Sequence, residues 1–394
     1  VKFARPFYAT TRVGSTTSQG DVAQMSDDLR TASGADGTGV KVGVLSDSYD
    51  CMAGAAADIA SGDLPAGGVT VLLEEPGCGS GTDEGRAMLQ IVHDVAPGAA
   101  LSFNTAFTGE AGFANGIDAL VTDIQNTSGG NGVIVDDILY FSEPMFQDGV
   151  IGQAADNSVL AGIPYYSSIG NDAKDSYESP FVDSGLGGVF GGVLHDFDPG
   201  PGVTVLQEIS VPVGGSFTLS FQWNQPFFSV SGAPGAATDL DILIVGADGA
   251  SLLAGGTDFN IGVDALEVFS FFNSGFDLDG VPGLDTKFFV LIENFSGPDP
   301  SLIKYAYAGS ATIIDFDTDS ASGFGHPGSL LSIGVGAAGY FNTPAFGVSP
   351  PVLEGFSSRG GIPTYFDTAG VAIDPPDYRP KPEIVAPDGV NTTF

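Results

Sequence analysis

Short apolar runs bounded by glycine alternate with amphipathic stretches over the first half of the chain. The run Gly39-Val-Lys-Val-Gly-Val-Leu45 is rich in β-branched residues and predicts a buried strand with Ser46-Asp47-Ser48 at its C-terminal end. Residues 53–61 predict a short helix and 69–73 a second strand. Residues 82–95 have helical spacing, with Ala87, Leu89, Ile91 and Val95 as apolar positions, Thr82 or Asp83 as cap and Pro97-Gly98 as stop. Further strands are expected over 100–105, 132–140 and 163–168, and further helices over 112–125 and 150–160. Strands that alternate with helices imply a parallel sheet covered on both faces. The polar residues 1–35 read as an irregular N-terminal arm.

The pattern changes near His195. From residue 203 to 307, alternating apolar positions are cut by Gly, Pro, Asp and Asn, as in Ser216-Phe-Thr-Leu-Ser-Phe-Gln-Trp223 and Leu240-Asp-Ile-Leu-Ile-Val245. No helical period stands out there, and the pattern predicts an antiparallel β-sandwich. After Ser310 the α/β style returns, with a small-residue strand over 330–338 and residues 382–386 leading into a Pro-Asp-Gly turn. An insertion into one α/β domain explains this order: an arm over 1–35, a first part over 36–195, an inserted sandwich over 196–308 and a second part over 309–394. Trp223, Phe227 and Phe228 read as sandwich core.

Composition narrows the classes. A chain of 394 residues suggests two or three domains, and 43% hydrophobic residues exclude global disorder. The 12 basic residues against 48 acidic ones give a net charge of −36, which repels nucleic acid and anionic membranes. Salt adaptation, cation binding and simple solubility all remain open readings of that surface. No run reaches the roughly 18 apolar residues of a membrane span. Val1 is not an initiator Met and no basic-then-apolar leader follows it, so a secreted form would have lost its signal peptide.

Ligands in open α/β sheets bind beyond the carboxyl ends of the strands. Asp47, Glu84 and Asn171 all stand at or beside such ends. Two carboxylates can divide acid and base work between them, and residues at these places also serve as plain helix caps.

Five segments, in order, resemble the subtilisin-like serine peptidases. Val42-Gly-Val-Leu-Ser-Asp-Ser48 looks like the strand that carries the catalytic Asp, and Asp83-Glu-Gly-Arg-Ala-Met-Leu-Gln-Ile-Val-His-Asp-Val-Ala-Pro-Gly-Ala99 like the helix that carries the catalytic His. Ser168-Ile-Gly-Asn171 resembles the oxyanion-hole segment, Gly355-Phe-Ser-Ser-Arg-Gly360 the Phe-Ser-Ser turn, and Arg379-Pro-Lys-Pro-Glu-Ile-Val-Ala-Pro-Asp-Gly389 the stretch before the nucleophile. Where that helix would begin with His, Glu84 matches the catalytic Glu of the related sedolisins. Met88 stands where sedolisins carry an Asp one turn later, so the resemblance assigns the orienting carboxylate to Asp47, although an ungapped match to subtilisins places Ser46 there. His93 lies nine residues after Glu84, which at about 100° per residue turns it to the opposite helix face. It reads as structural, and no chemistry falls to His195 or His326.

The family's Gly-Thr-Ser nucleophile motif occurs nowhere in residues 1–394. The resemblance therefore implies a Ser supplied by a further C-terminal segment, or else a non-catalytic surface or assembly protein on the same fold. Cys51 follows Asp47 and Cys78 precedes Glu84, so a disulfide between them would tie the two carboxylate-bearing loops and imply an oxidising compartment. The insertion is similar to small β-sandwiches that accompany secreted peptidases, some of which bind calcium. Asp239, Asp241 and Asp248 are its candidate ligands, with a solvated strand end or a cation-binding adhesion module as the other readings. The expected protein is a secreted or cell-surface serine endopeptidase domain acting on protein or peptide substrates, with no cofactor needed for the chemistry.

Overall fold

The computed structural model describes residues 16–281 and 283–394, so only the later part of the expected arm falls within it. Seven strands form one parallel sheet: β1 (Lys41–Ser46), β2 (Thr70–Leu73), β3 (Ala100–Thr105), β4 (Gly132–Asp136), β5 (Tyr165–Ser168), β6 (Ile333–Gly339) and β7 (Ile384–Asp388). Their spatial order is β2-β3-β1-β4-β5-β6-β7. Two helices precede β1, α1 (Gln19–Ala23) and α2 (Ser26–Ser33). The others are α3 (Ala55–Ser61), α4 (Glu84–Val95), α5 (Glu110–Ser128) and α6 (Val150–Leu160).

Strand β1 is buried at every position because both of its faces are covered. Val42 and Val44 pack with Leu89 of α4 and with Leu101 and Phe103 of β3. Leu45 packs with Phe113, Ile117 and Leu120 of α5, in a cluster that extends to Ile151 of α6. Each such side chain contributes about 1.5–3 kcal/mol when fully buried. The apolar runs of the sequence are these doubly covered strands. The chain builds β2 and β3 on one side of β1 and the remaining strands on the other, so the order reverses between β1 and β4.

Four expectations are corrected. The stretch before β1 is helical from Gln19, not irregular: Arg30 pairs with Asp21 at 2.6 Å and donates to the Val95 carbonyl at 2.7 Å, and the Ser18 N–H donates to Asp94 at 2.6 Å. These two short polar helices are held by contacts to the end of α4, which no local periodicity reveals. Strand β4 ends at Asp136, short of Tyr140. Pro387 and Asp388, expected in a turn, are the last residues of β7. Phe228 is 48% exposed and opens a single helical turn, Phe228–Ser231, whereas Trp223 and Phe227 are core.

Between β5 and β6 the chain forms antiparallel sheets. One has the order Leu266–Phe272, Ser216–Trp223, Ile303–Gly309, Ser176–Ser179. The other runs Leu252–Gly256, Asp239–Val245, Lys287–Ser296, Val193–His195, Asp183–Gly187. The antiparallel strands therefore start at Ser176, ahead of the change expected near His195. Phe217, Leu219 and Phe221 of the first sheet share one apolar cluster with Leu240, Ile242 and Ile292 of the second. Gln222 fastens this region to the parallel part, accepting from the Met145 N–H and donating to the Glu143 carbonyl, both at 2.8 Å. Among the described residues no helix is long and apolar enough to cross a membrane.

A row of buried carboxyls lies where the two antiparallel sheets meet. Burial first, then the charges of Asp239 and Glu293, raises Asp241 from 3.8 to about 7. Burial, then Asp258, raises Glu267 from 4.5 to about 8. Both groups hold protons in the fold that the unfolded chain releases near pH 4. Their stabilising contribution is full below that and is lost as pH rises through about 7 to 8. Thermal melts should give a higher Tm near pH 5 than near pH 9, and D241N/E267Q should flatten that slope. A slope unchanged in the double variant would refute the assignment.

Candidate functional site

The reversal between β1 and β4 places a crevice at the carboxyl ends of the strands, where this class of sheet binds ligands. Asp47 follows β1 and is almost fully buried. Its Oδ1 accepts from the N–H groups of Ser48, Glu84 (2.9 Å) and Gly85 (3.4 Å), and its Oδ2 from the Thr82 N–H (2.5 Å) and hydroxyl (2.6 Å). Asp47 thus caps α4 from a distant part of the chain, a role expected of Thr82 or Asp83. The first N–H groups of a helix have no partner within it, and an anion there meets the positive end of the helix dipole. Burial opposes the Asp47 anion, but the hydrogen bonds from Thr82, Ser48 and Gly85 outweigh it and hold the carboxyl below its ordinary range. Gly85 makes the close approach possible, since a Cβ there would meet the Phe103 ring at 2.4 Å and the Ser48 carbonyl at 2.8 Å.

The two loops flanking this contact are fastened together. Cys51 and Cys78 form a disulfide, as the sequence suggested. Glu74 accepts from the N–H groups of Tyr49 (3.0 Å) and Asp50 (2.9 Å), and Asp83 accepts from the Met52 N–H (3.0 Å). Arg86 bridges Asp83 and Asp58 beneath them.

Glu84 opens α4 and lines a cleft of about 590 Å³ together with Met88, Asp137, Asn171, Phe356 and Ile384. Desolvation, then the Asp47 charge, raises its carboxyl above 4.5. The structure brings Glu84 and Asn171 to one cleft and puts Asp47 behind it, joined to Glu84 through the backbone N–H and not carboxyl to carboxyl. Asn171 is exposed at the end of a loop that the Phe356-Ser-Ser turn clamps: the Ser358 N–H donates to the Gly170 carbonyl at 2.9 Å, and the Asp172 N–H donates to the Ser358 hydroxyl at 2.8 Å. Gly170 has φ +104, a conformation that favours glycine. Away from this cleft the Arg-Pro-Lys-Pro-Glu run is held by Arg379 gripping Asp148 at 2.7 and 2.9 Å and by Glu383 accepting from the Gly334 N–H at 2.8 Å. His93 is buried, does not line the cleft, and has its Nδ1 without a partner.

Two groups escaped the sequence reading. Asp137 lines the cleft immediately after β4, and Ile138 to Tyr140, expected in that strand, lie outside it. The Asp136-Asp137 pair at a strand end was the available signal, and the overlong strand concealed it. His326, given no chemistry, is fully enclosed. Its Nε2 lies 3.0 Å from Asp136 and 3.0 Å from the Ser167 hydroxyl, and its Nδ1 lies 3.0 Å from Glu143. Burial alone would deprotonate this ring, but Glu143 and Asp136 outweigh it and raise the imidazolium to about 10. Ser, His and carboxylate here have the spacing of a hydrolytic triad. A ring already protonated cannot take the Ser167 proton, so the cluster is a buried charge bridge.

The carboxylates of the antiparallel region were tested for calcium. Asp239 and Asp241 offer hard oxygen donors, and the buried Asn260 Oδ1 lacks a partner. Asp248 instead accepts from Ala250 and Ser251 within its own turn. Among the described residues, only Cys51, Glu75 and Cys78 bring three candidate ligand atoms within 4.8 Å of one another, and both of those sulfurs are in the disulfide. No step here is derived through calcium.

No protein-family model and no curated protein matches the chain. Among solved structures it is similar to the prenylagaramide maturation protease PagA, with 15% identity, TM-score 0.27, and 38% of this chain and 51% of that one covered. A lanthipeptide protease matches with 17% identity and TM-score 0.29, over 39% of this chain and 45% of that one. An arabinose-bound α-L-arabinofuranosidase matches with 10% identity and TM-score 0.16, over 46% of this chain and 31% of that one. The chain thus spans about half the length, or less, of these structures.

Replacing His326 by Gln should strand Asp136 and Glu143 as buried carboxyls. Breaking a buried ion pair from one side costs about 3–5 kcal/mol, read as a fall in Tm at pH 6. In the native protein the His326 contribution is full below about 6.5 and is lost as pH rises through about 10. An H326Q protein as stable as the native one at pH 6 would overturn the charge bridge.

Proposed function

We propose that the protein is a serine endopeptidase domain of subtilisin-like architecture, with a sedolisin-like Glu in place of the catalytic His and an inserted β-sandwich over about residues 176–313. The observation that carries this reading is the meeting of Glu84 and Asn171 in one cleft at the sheet's reversal point, above an Asp47 anion that fixes the start of α4. The disulfide is compatible with an extracellular protein, and a secreted or cell-surface location follows from the same reading.

In this mechanism Glu84 takes the proton of a Ser hydroxyl as the Ser oxygen bonds to the scissile carbonyl carbon. Glu84 later returns that proton to the leaving amine as the C–N bond breaks. Asn171 donates a hydrogen bond to the oxyanion of the tetrahedral intermediate, a contact whose loss costs about 10²–10³-fold in kcat. Asp47 positions Glu84 by holding the backbone of the first turn of α4. Protein or peptide substrate enters along the cleft, past the apolar wall of Met88 and Ile384. A second reading is a non-catalytic surface or assembly protein. The lack of a His at the head of α4, and Met88 where sedolisins carry Asp, favour it.

The deciding experiment uses the full-length polypeptide, an unfolded protein substrate and a fluorophosphonate probe for reactive serine. The enzyme reading expects labelling, proteolysis that persists further into acid than a His base with its reference pKa of about 6.5 permits, and loss of about 10³-fold or more in E84Q. D47N should lose less, with a lower Tm from the weakened cap. Absence of both labelling and proteolysis would establish the second reading.

A further inference from the structure

Asp47 and Asp137 both stand at the carboxyl ends of adjacent strands, yet their surroundings are opposite. Asp47 has donors on both oxygens, five in all. The buried Oδ1 of Asp137 and the Ser46 hydroxyl close by are both without a hydrogen bond of ordinary geometry. A carboxylate oxygen shut off from both water and donors is costly, whereas a neutral carboxyl tolerates the same place. No Lys, Arg or His lines the cleft to balance a second anion.

We propose that Asp137 and Glu84 form an acid pair that holds a single proton, with Asp137 as the protonated, positioning member and Glu84 as the ionised member that faces substrate. This rests on the peptidase reading only for the role of Glu84; the pair itself requires no catalysis. The charges around it point the same way. The charges of Glu84 at the head of α4, Asp136 at the end of β4 and Asp47 after β1 all act on Asp137, and Asp388, the last residue of β7, lines the same cleft. Desolvation and then Glu84 push Asp137 well above 3.8, only partly offset by Ser46. Asp136 is committed to the His326 bridge and cannot substitute.

The arrangement has a chemical consequence. With one proton on the pair, Glu84 at rest is the single charge of the pair. When it takes a proton from a hydroxyl the pair becomes neutral and the negative charge passes to the hydroxyl oxygen, so the net charge of the cleft is unchanged while its position moves toward the reacting atoms.

The test uses the 394-residue chain labelled with ¹³C at the Asp and Glu carboxyls, followed by NMR titration and isotope-edited infrared spectroscopy. One protonated carboxyl besides those of Asp241 and Glu267 should persist at neutral pH in the native chain, and that signal alone should vanish in D137N. In E84Q the upper titration should move down by about one unit or more, because the neighbouring charge is gone. D47N should shift it less. Asp137 ionising in the ordinary carboxylate range, or an upper titration unmoved in E84Q, would refute the pair. Should D137N fail to fold, the E84Q titration still decides. No substrate enters these readouts, so a chain with the pair but without proteolysis refutes the peptidase reading alone.

Discussion

The Asp47 carboxylate at the head of α4 is the contact on which the candidate site depends. It accepts from the residue after it, from the loop that precedes α4 and from the first turn of that helix, and so fixes three pieces of chain at one anion. Without it the first N–H groups of α4 would be unpaired next to the buried face of β1, and the direction in which Glu84 leaves the helix would be undefined. The disulfide and Glu74 draw the same two loops together from outside. A loop of this length closed by a disulfide is worth on the order of 3–4 kcal/mol in the chain-entropy model, and that stabilisation falls on the segment that presents Glu84.

The charge balance acts differently inside the protein and on its surface. With 48 acidic residues and 12 basic ones, most carboxylates lack a cationic partner. Among the described residues, cations that reach the interior hold structural junctions, such as Arg86 under the α4 loop, Lys41 against Asp123, Lys304 against Glu178, Arg379 against Asp148 and the His326 imidazolium between two carboxylates. The remaining buried carboxyls have donors, as Asp47 does, or retain protons, as Asp241 and Glu267 do near neutrality.

The sequence made the parallel sheet legible because doubly buried strands leave uninterrupted apolar runs, as in β1, and helices such as α4 leave a clear period. Glu84 and Asn171 were legible for the same reason, since each follows a well-marked element. The rest was written in long-range contacts. Helices α1 and α2 are too short and polar to announce themselves and depend on Arg30 and Ser18 reaching α4. Asp47 was found as a residue, but its hold on the Glu84 backbone comes from the way α4 abuts β1. Asp137 was hidden because Ile138 and Leu139 continue an apolar run after the backbone has left the sheet. His326 carries no local signature, since both of its carboxylate partners lie more than 180 residues earlier.

The pairing of β5 with β6 sets a condition on how the molecule assembles. Tyr166 aligns with Ile333, and both large antiparallel sheets lie between them in sequence. Left unfolded, that intervening chain would impose the closure entropy of a very long loop before any β5–β6 hydrogen bond could form. Once folded, it presents two nearby ends to the edge of β5, and the closure becomes short. The antiparallel region therefore acts as an internal scaffold for the sheet, and damage to its core would be felt first as slow or failed docking of β6 and β7, far from the substituted residue.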